Sequence, residues 1–189
     1  MFLKDKNQKD IMDQQLINSF EIDYIFEDKP INRIKNKPII ENINVRLDNL
    51  KKKIENINNC ELKNNAKQIV FNDGSFESLI MIVGEGPGQK EDEIGKPFVG
   101  DAGQLLNKML AAINIKRENI YITNVVNYRP PNNRKPEPSE INRYSEFLKE
   151  HISIINPKIL ILMGSTAMEA LFGTKIKISK ERGVWKEII

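Results

Sequence analysis

The sequence has 189 residues, 40% of them hydrophobic, which suits one domain of ordinary size plus an extension. Its 29 basic and 26 acidic residues leave a net charge of +3, too mild to signal a nucleic-acid partner by itself. One cysteine, Cys60, excludes an intramolecular disulfide framework and a cysteine-only metal site, and one histidine, His151, leaves metal chemistry to carboxylates or to nothing.

No apolar run approaches the length of a membrane span, and the polar start of the chain lacks the apolar core of a signal peptide. A cytoplasmic protein without a membrane partner is expected. Residues 1–59 read as an N-terminal helical and linker extension. Ile11, Met12, Leu16, Ile17 and Phe20 outline a short amphipathic helix, and Glu27–Pro38 is a charged linker punctuated by Pro30 and Pro38. From Asn42, the positions Ile43, Val45, Leu47, Leu50, Ile54 and Ile57 predict a second helix. The extension is expected to be solvated and to pack loosely on a domain spanning 60–189.

Within that domain, Leu79–Val83 predicts a buried strand running into the turn Gly84-Glu85-Gly86-Pro87-Gly88. Asp101–Ile113 predicts a helix with Leu105, Leu106, Met109, Leu110 and Ile113 on one face. Ile120–Val126 predicts a second strand, followed by a stiff basic loop from Asn127 to Pro136. Ser139 is placed to cap a helix running to about Ile155, and His151 on it reads as a partly buried surface histidine. Lys158–Met163 predicts a third strand, continuous and apolar as in a doubly covered parallel sheet. A short helix then ends at Gly173; Ser165 and Thr166 read as its caps, since Thr166 and Glu169 have capping-box spacing. Residues 182–189 read as the approach to a further strand.

Strand and helix alternate, so the expected fold is α/β, a three-layer αβα sandwich around a parallel sheet. Ligands of such sheets bind outside the carboxyl ends of the strands. Glu85, Asn124 and Gly164 stand at three of those ends, and Phe98 follows shortly after the glycine turn. A carboxylate, an amide and an aromatic then converge on one pocket. A phosphate loop is the weaker reading of the same turn: no Gly-Lys-Ser/Thr follows it, and Glu85 repels phosphate.

The segments Gly84-Glu-Gly-Pro-Gly88, Glu91-Asp92, Pro97-Phe-Val-Gly-x-Ala-Gly103, Ile122-Thr-Asn124 and Arg129-Pro-Pro-x-Asn-Arg134 resemble the family 4 uracil-DNA glycosylases. The resemblance runs from about Cys60 to Trp185. It implies a base-excision-repair hydrolase that cuts the N-glycosidic bond of a flipped deoxyuridine, acting as a monomer on single- or double-stranded DNA. By motif position, Glu85 would be the catalytic carboxylate and Asn124 the reader of the uracil edge. Phe98 would stack on the base, Gly84 and Gly86 would line the pocket, and Glu91 would stand where the thymine methyl must be excluded. Arg129 and Arg134 would contact DNA phosphates.

The sequence departs from that pattern in two ways. The family's four-cysteine iron–sulfur site is reduced to Cys60, with Ile57, Tyr128 and Tyr144 in the other three positions, so no cofactor is expected. The His-Pro-Ser or His-Pro-Ala segment that the resemblance implies after the Arg182-Gly-x-Trp185 stretch does not occur before Ile189, and His151 does not replace it. A C-terminally truncated homologue that binds uracil or DNA without meaningful catalysis is therefore the alternative expectation.

Overall fold

The computed structural model describes residues 37–173 and 178–187, all in the second of two units into which the chain divides, Met1–Asn36 and Lys37–Ile189. The amphipathic helix expected over 11–20 and most of the 27–38 linker lie outside the described residues. The first described helix, α1 (Lys37–Glu55), begins where that linker was expected to end. Leu47, Leu50 and Ile54 recur at three- and four-residue spacing and are buried, whereas Val45 faces solvent. They join one core with Tyr144, Leu148, Ile154 and Ile155, so this part of the expected loose extension is packed tightly.

A short helix α2 (Glu61–Asn65) follows, then a two-residue strand β1 (Asp73–Gly74) and the central strand β2 (Ile80–Gly84). Helix α3 (Gln89–Ile94) comes out of the glycine turn and α4 (Asp101–Ala112) follows the Phe98 loop. Strand β3 (Tyr121–Asn124), helix α5 (Pro138–Ile155), strand β4 (Ile159–Leu162) and helix α6 (Ser165–Phe172) complete the alternation. A four-residue helix α7 (Ile178–Glu181) ends in a turn, and 184–187 form no strand.

The sheet order is β1-β3-β2-β4. The β2–β3 and β2–β4 pairs are parallel, as expected, but β1 runs antiparallel to β3 and makes the sheet mixed. No apolar run announces β1. Gly74 permits it: at φ +93° its backbone passes so close to Ile120 O that a Cβ would lie 1.7 Å away. The residues of β2 alternate between two cores. Met81 and Val83 face α1, α5 and α6, while Ile82 faces Leu106 and Leu110 of α4. The three-layer sandwich thus holds, with three corrections. Of the five apolar residues expected on one face of α4, only Leu106 and Leu110 are buried; Leu105, Met109 and Ile113 are more than half exposed. Strand β4 lies at the sheet's edge and is only partly covered, with Ile161 at 38% exposure. Helix α5 starts at Pro138 with Glu137 as its N-cap and Glu140 completing the capping box, so Ser139 is not the cap. No helix among the described residues is long and apolar enough to cross a membrane.

His151 is not at the surface. It is 2% exposed, its ring stacks on Phe71 at 4.7 Å, and its Nε2 lies 2.5 Å from the Tyr121 hydroxyl. Helix α5 packs on the sheet through this side chain, and burial pushes its pKa down to about 3. The unfolded chain takes up a proton near pH 6.5 that the folded chain refuses, so the neutral histidine's contribution is complete above pH 6.5 and declines as pH falls. Urea titrations at pH 7.5 and 5.0 should show a fall in stability about 2 kcal/mol larger in the wild type than in His151→Gln. Equal falls in both would overturn this account of His151.

Candidate active site

The parallel register sets the floor of the site. Gly84 pairs with Asn124 across β2 and β3, and Val83 with Leu162 across β2 and β4. The ladder continues past the strands: Val125 N donates to Gly84 O at 2.9 Å and Val126 N to Glu85 O at 3.2 Å, while Met163 N donates to Val83 O at 2.8 Å. Glu85, Asn124 and Gly164 therefore stand on one edge of the sheet, as expected from sequence.

Gly84 is the point of closest approach. A Cβ there would lie 2.5 Å from both Asn124 Oδ1 and Phe98 Cε2, so only glycine lets the amide and the ring meet over the strand. Gly86 is similarly packed, with Val126 Cγ2 2.7 Å from where its Cβ would be. Asn124 is 3% exposed, and its Nδ2 is a buried donor with no hydrogen-bond partner among the described residues. Leaving such a group unpaired costs about 1–3 kcal/mol. An unsatisfied amide beside an aromatic ring at the carboxyl ends of the parallel strands is placed to donate to an acceptor that a ligand brings.

Phe98 is held in a left-handed conformation, φ +53°, which a bulky residue adopts only when its surroundings impose it. Arg117 imposes it. Its Nη1 donates to Phe98 O at 3.0 Å and to Asn107 Oδ1 at 3.0 Å, its Nη2 to Pro97 O at 2.7 Å, and its Nε to Asp73 Oδ2 at 2.9 Å. Burial works against ionisation of Asp73, but its bonds and charge pairing with Arg117 and Lys96 outweigh this and hold its carboxyl below the usual range. Strand β1 thus anchors the guanidinium that fixes the ring.

Glu91 is the second anchor. Its Oε1 accepts from Val99 N at 2.9 Å and Gly100 N at 2.7 Å, and its Oε2 accepts from Gly88 N at 3.1 Å. The carboxylate ties the Phe98 loop to the glycine turn, where the sequence led us to expect a wall against a base methyl. Asp92, fully buried beside it, accepts from Lys67 N at 2.9 Å.

Glu85 is exposed, but Thr166 donates its hydroxyl to Glu85 Oε2 at 2.5 Å. Thr166 is completely buried and caps nothing: Gly164 is the N-cap of α6 and no side chain bonds there. The expected pair of caps is thereby corrected.

The basic loop divides. Arg129 is half-buried and donates its Nε to Asn133 Oδ1 at 2.7 Å. Arg134 makes a bidentate pair with Glu140, at 2.8 and 2.7 Å, and lies 3.8 Å from Glu61. Hydrogen bonding to Glu140 raises the Arg134 pKa and holds the Glu140 carboxyl down, against its partial burial. Its fork is thus committed to the start of α5 rather than left open for phosphate.

The four positions implied for an iron–sulfur cluster do come together in part. Cys60 Sγ lies 3.5 Å from the Tyr144 hydroxyl, and burial, with Glu55 and Cys60 adding to it, pushes the Tyr128 pKa up to about 12. Burial likewise raises the Tyr144 phenol. Cys60, Tyr128 and Tyr144 belong to the α1–α5 core, with Ile57 packed against it. One thiol and two neutral phenols do not fit a cluster that takes four thiolates. Among the described residues no group of three or more His, Cys, Asp or Glu side chains is placed to hold a metal ion. A separate apolar hollow of about 340 Å³ lies between β4 and the segment around Trp185, and it shares no residue with the edge holding Glu85 and Asn124.

Residues 71–188 match the uracil DNA glycosylase superfamily. A type-4 uracil-DNA glycosylase of Thermotoga maritima is 46% identical over 125 residues, 66% of this chain and 65% of that protein. One from Archaeoglobus fulgidus is 40% identical over 126 residues, 67% of this chain and 63% of that protein. One from Sulfurisphaera tokodaii is 40% identical over 148 residues, 74% and 67% of the two chains. The chain thus spans 63% to 67% of the length of these relatives.

Arg117 and Asp73 carry no sequence signal of their own, and the capping-box spacing of Thr166 points to its own helix; only folding aims them at this edge. Replacing Arg117 by Ala leaves Asp73 with Lys96 alone and frees two carbonyls. Thermal or urea unfolding should show a loss of about 2–3 kcal/mol, with Arg117→Lys intermediate because an ammonium lacks the fork. A neutral Arg117→Ala would mean that Phe98 is held by other contacts.

Proposed function

Because the chain belongs to the uracil DNA glycosylase superfamily, in its type-4 branch, we propose that it hydrolyses the bond joining uracil to deoxyribose in DNA. The observation that carries the reading is the buried, unpartnered Asn124 amide beside Phe98, on the same edge as Glu85. The target nucleotide leaves the stack and its base enters that space. Phe98 stacks on the base, and Gly84 and Gly86 let it approach the main chain. Asn124 donates from Nδ2 to uracil O4 and accepts the N3–H at Oδ1. Cytosine offers an amino group and a bare nitrogen at those positions, so donor would meet donor and acceptor would meet acceptor.

In the reaction the C1′–N1 bond breaks, the sugar passes through an oxocarbenium-like state and uracil leaves as an anion. Negative charge that spreads onto O4 strengthens the bond from Asn124 in the transition state, where binding energy accelerates the reaction. On the sugar side, the Glu85 carboxylate faces developing positive charge and orients the water that adds to C1′, and the proton which that water loses balances the charge of the departing uracil anion. Arg129 and its loop meet the phosphate backbone, a contact that positions the chain on DNA without reading sequence. The proposed substrate is uracil-containing DNA, single- or double-stranded, met in the cytoplasm by a monomer.

The experiment is incubation with a uracil-containing oligonucleotide, followed by alkaline cleavage at abasic sites. We expect cleavage at the uracil position, with a loss of about 100- to 1,000-fold for Glu85→Ala and for Asn124→Ala. Retained binding of uracil DNA without any abasic product would replace catalysis by recognition alone. Loss of both would reject the reading.

The same proposal includes no iron–sulfur cluster, because Cys60, Tyr128 and Tyr144 fill its place with a thiol and two phenols. Protein purified without oxygen should carry no stoichiometric iron or sulfide, lack absorbance near ~400 nm, and unfold at the same temperature with or without chelator. Stoichiometric iron in that protein would overturn this part of the proposal.

A further inference from the structure

A glutamate at the surface normally samples several rotamers, and fixing a long side chain costs conformational entropy. Glu85 has no ion-pair partner among the described residues, and its Oε1 makes no hydrogen bond there. What orients it is one bond, from Thr166 Oγ1 to Oε2 at 2.5 Å, between residues 81 apart in the chain.

The donor is built for that task. Thr166 is completely buried, and its β-branched side chain is stiff about χ1. Helix α6, which carries it, is packed on α5 and β2. Met163 N bonds Val83 O at 2.8 Å, and Gly164, at φ +99°, turns the chain from β4 into the helix. The main chain of Glu85 is held from the opposite side by Val126 N. The carboxylate is thus fixed between the end of β3 and the start of α6, one oxygen committed and the other free.

We propose that Thr166 is a positioning residue of the glycosylase site: its buried hydroxyl fixes the Glu85 carboxylate through Oε2 and leaves Oε1 to meet the water and the sugar. This rests on the catalytic role proposed for Glu85. Removing the hydroxyl leaves an exposed carboxylate that swings between rotamers, so the substrate still binds but the reacting groups are less often aligned.

The test compares Thr166→Val with Thr166→Ser on a uracil oligonucleotide, and repeats Thr166→Val in a Glu85→Ala background. Thr166→Val, which keeps the shape and loses the donor, should lower kcat by about 10- to 100-fold with KM changed less than about threefold. Thr166→Ser should recover most of kcat. In the Glu85→Ala background the same Thr166→Val change should alter kcat less than about threefold, because the carboxylate that the hydroxyl positions has gone. Urea unfolding of each variant checks that it is folded, and the serine variant carries the test should the valine variant not fold. An equal fold-loss in the two backgrounds, or a loss that Thr166→Ser does not recover, overturns the proposal. A wild-type chain that forms no abasic sites overturns the glycosylase reading and the catalytic meaning of the bond with it. In an active wild-type chain, an equal fold-loss in the two backgrounds overturns the role of Thr166 alone.

Discussion

The close approach of three chain segments over Gly84 is the constraint on which the rest of the site depends. Parallel pairing brings Asn124 level with Gly84, and the absence of a side chain lets Phe98 and the Asn124 amide occupy the space a Cβ would fill. Any other residue there must push the ring off the strand or the amide out of line. That approach leaves Asn124 Nδ2 buried without a partner among the described residues, an energetic cost of a kind that proteins concentrate where a ligand supplies the missing acceptor.

Such an arrangement needs rigid walls, and polar side chains that bond main-chain groups provide them. Arg117 takes the carbonyls of Pro97 and Phe98, and Glu91 takes the amides of Gly88, Val99 and Gly100. Loops have no ladder partners of their own, so each buried carbonyl or amide must find a side chain. Charged side chains make the stronger bonds, and the two used here have opposite sign, one for carbonyls and one for amides. Between them they turn a fourteen-residue path from Gly88 to Asp101 into a fixed bracket for one ring. Strand β1 belongs to the same device, because Asp73 holds the guanidinium.

On the other face of the sheet the problem is bringing distant segments together. Helix α1, the segment at Cys60, the loop at Tyr128 and helix α5 meet in one core. Packing with a single thiol–phenol contact holds them where the type-4 resemblance implies a metal cluster. Deeper in the same core, Tyr121 and Phe71 enclose His151 as a neutral ring, which ties the stability of the sheet–helix contact to pH.

Much of this was legible in the residues. Strand-like runs gave β2, β3 and β4, three-and-four spacing gave α1 and α4, a cap signal pointed to α5, and alternation gave the three layers with Glu85, Asn124 and Gly164 on one edge. Strand β1 was not legible, because two residues make no pattern and its pairing depends on a glycine passing over Ile120 O. The reach of the core into α1 was misjudged, since a charged helix with one apolar stripe reads alike whether it is docked or solvated. Within the site, sequence supplied the identities of Glu85, Phe98 and Asn124 but not how their neighbours serve them. Glu91 faces main-chain amides, Arg134 is bound to Glu140, and Thr166 holds Glu85 rather than its own helix. Local pattern determined which elements form and which side chains stand at their ends, because periodicity and turn chemistry act over a few residues. Which polar groups meet across 20 to 80 residues was decided only by tertiary structure, because hydrogen bonding depends on distance and direction that sequence spacing does not carry.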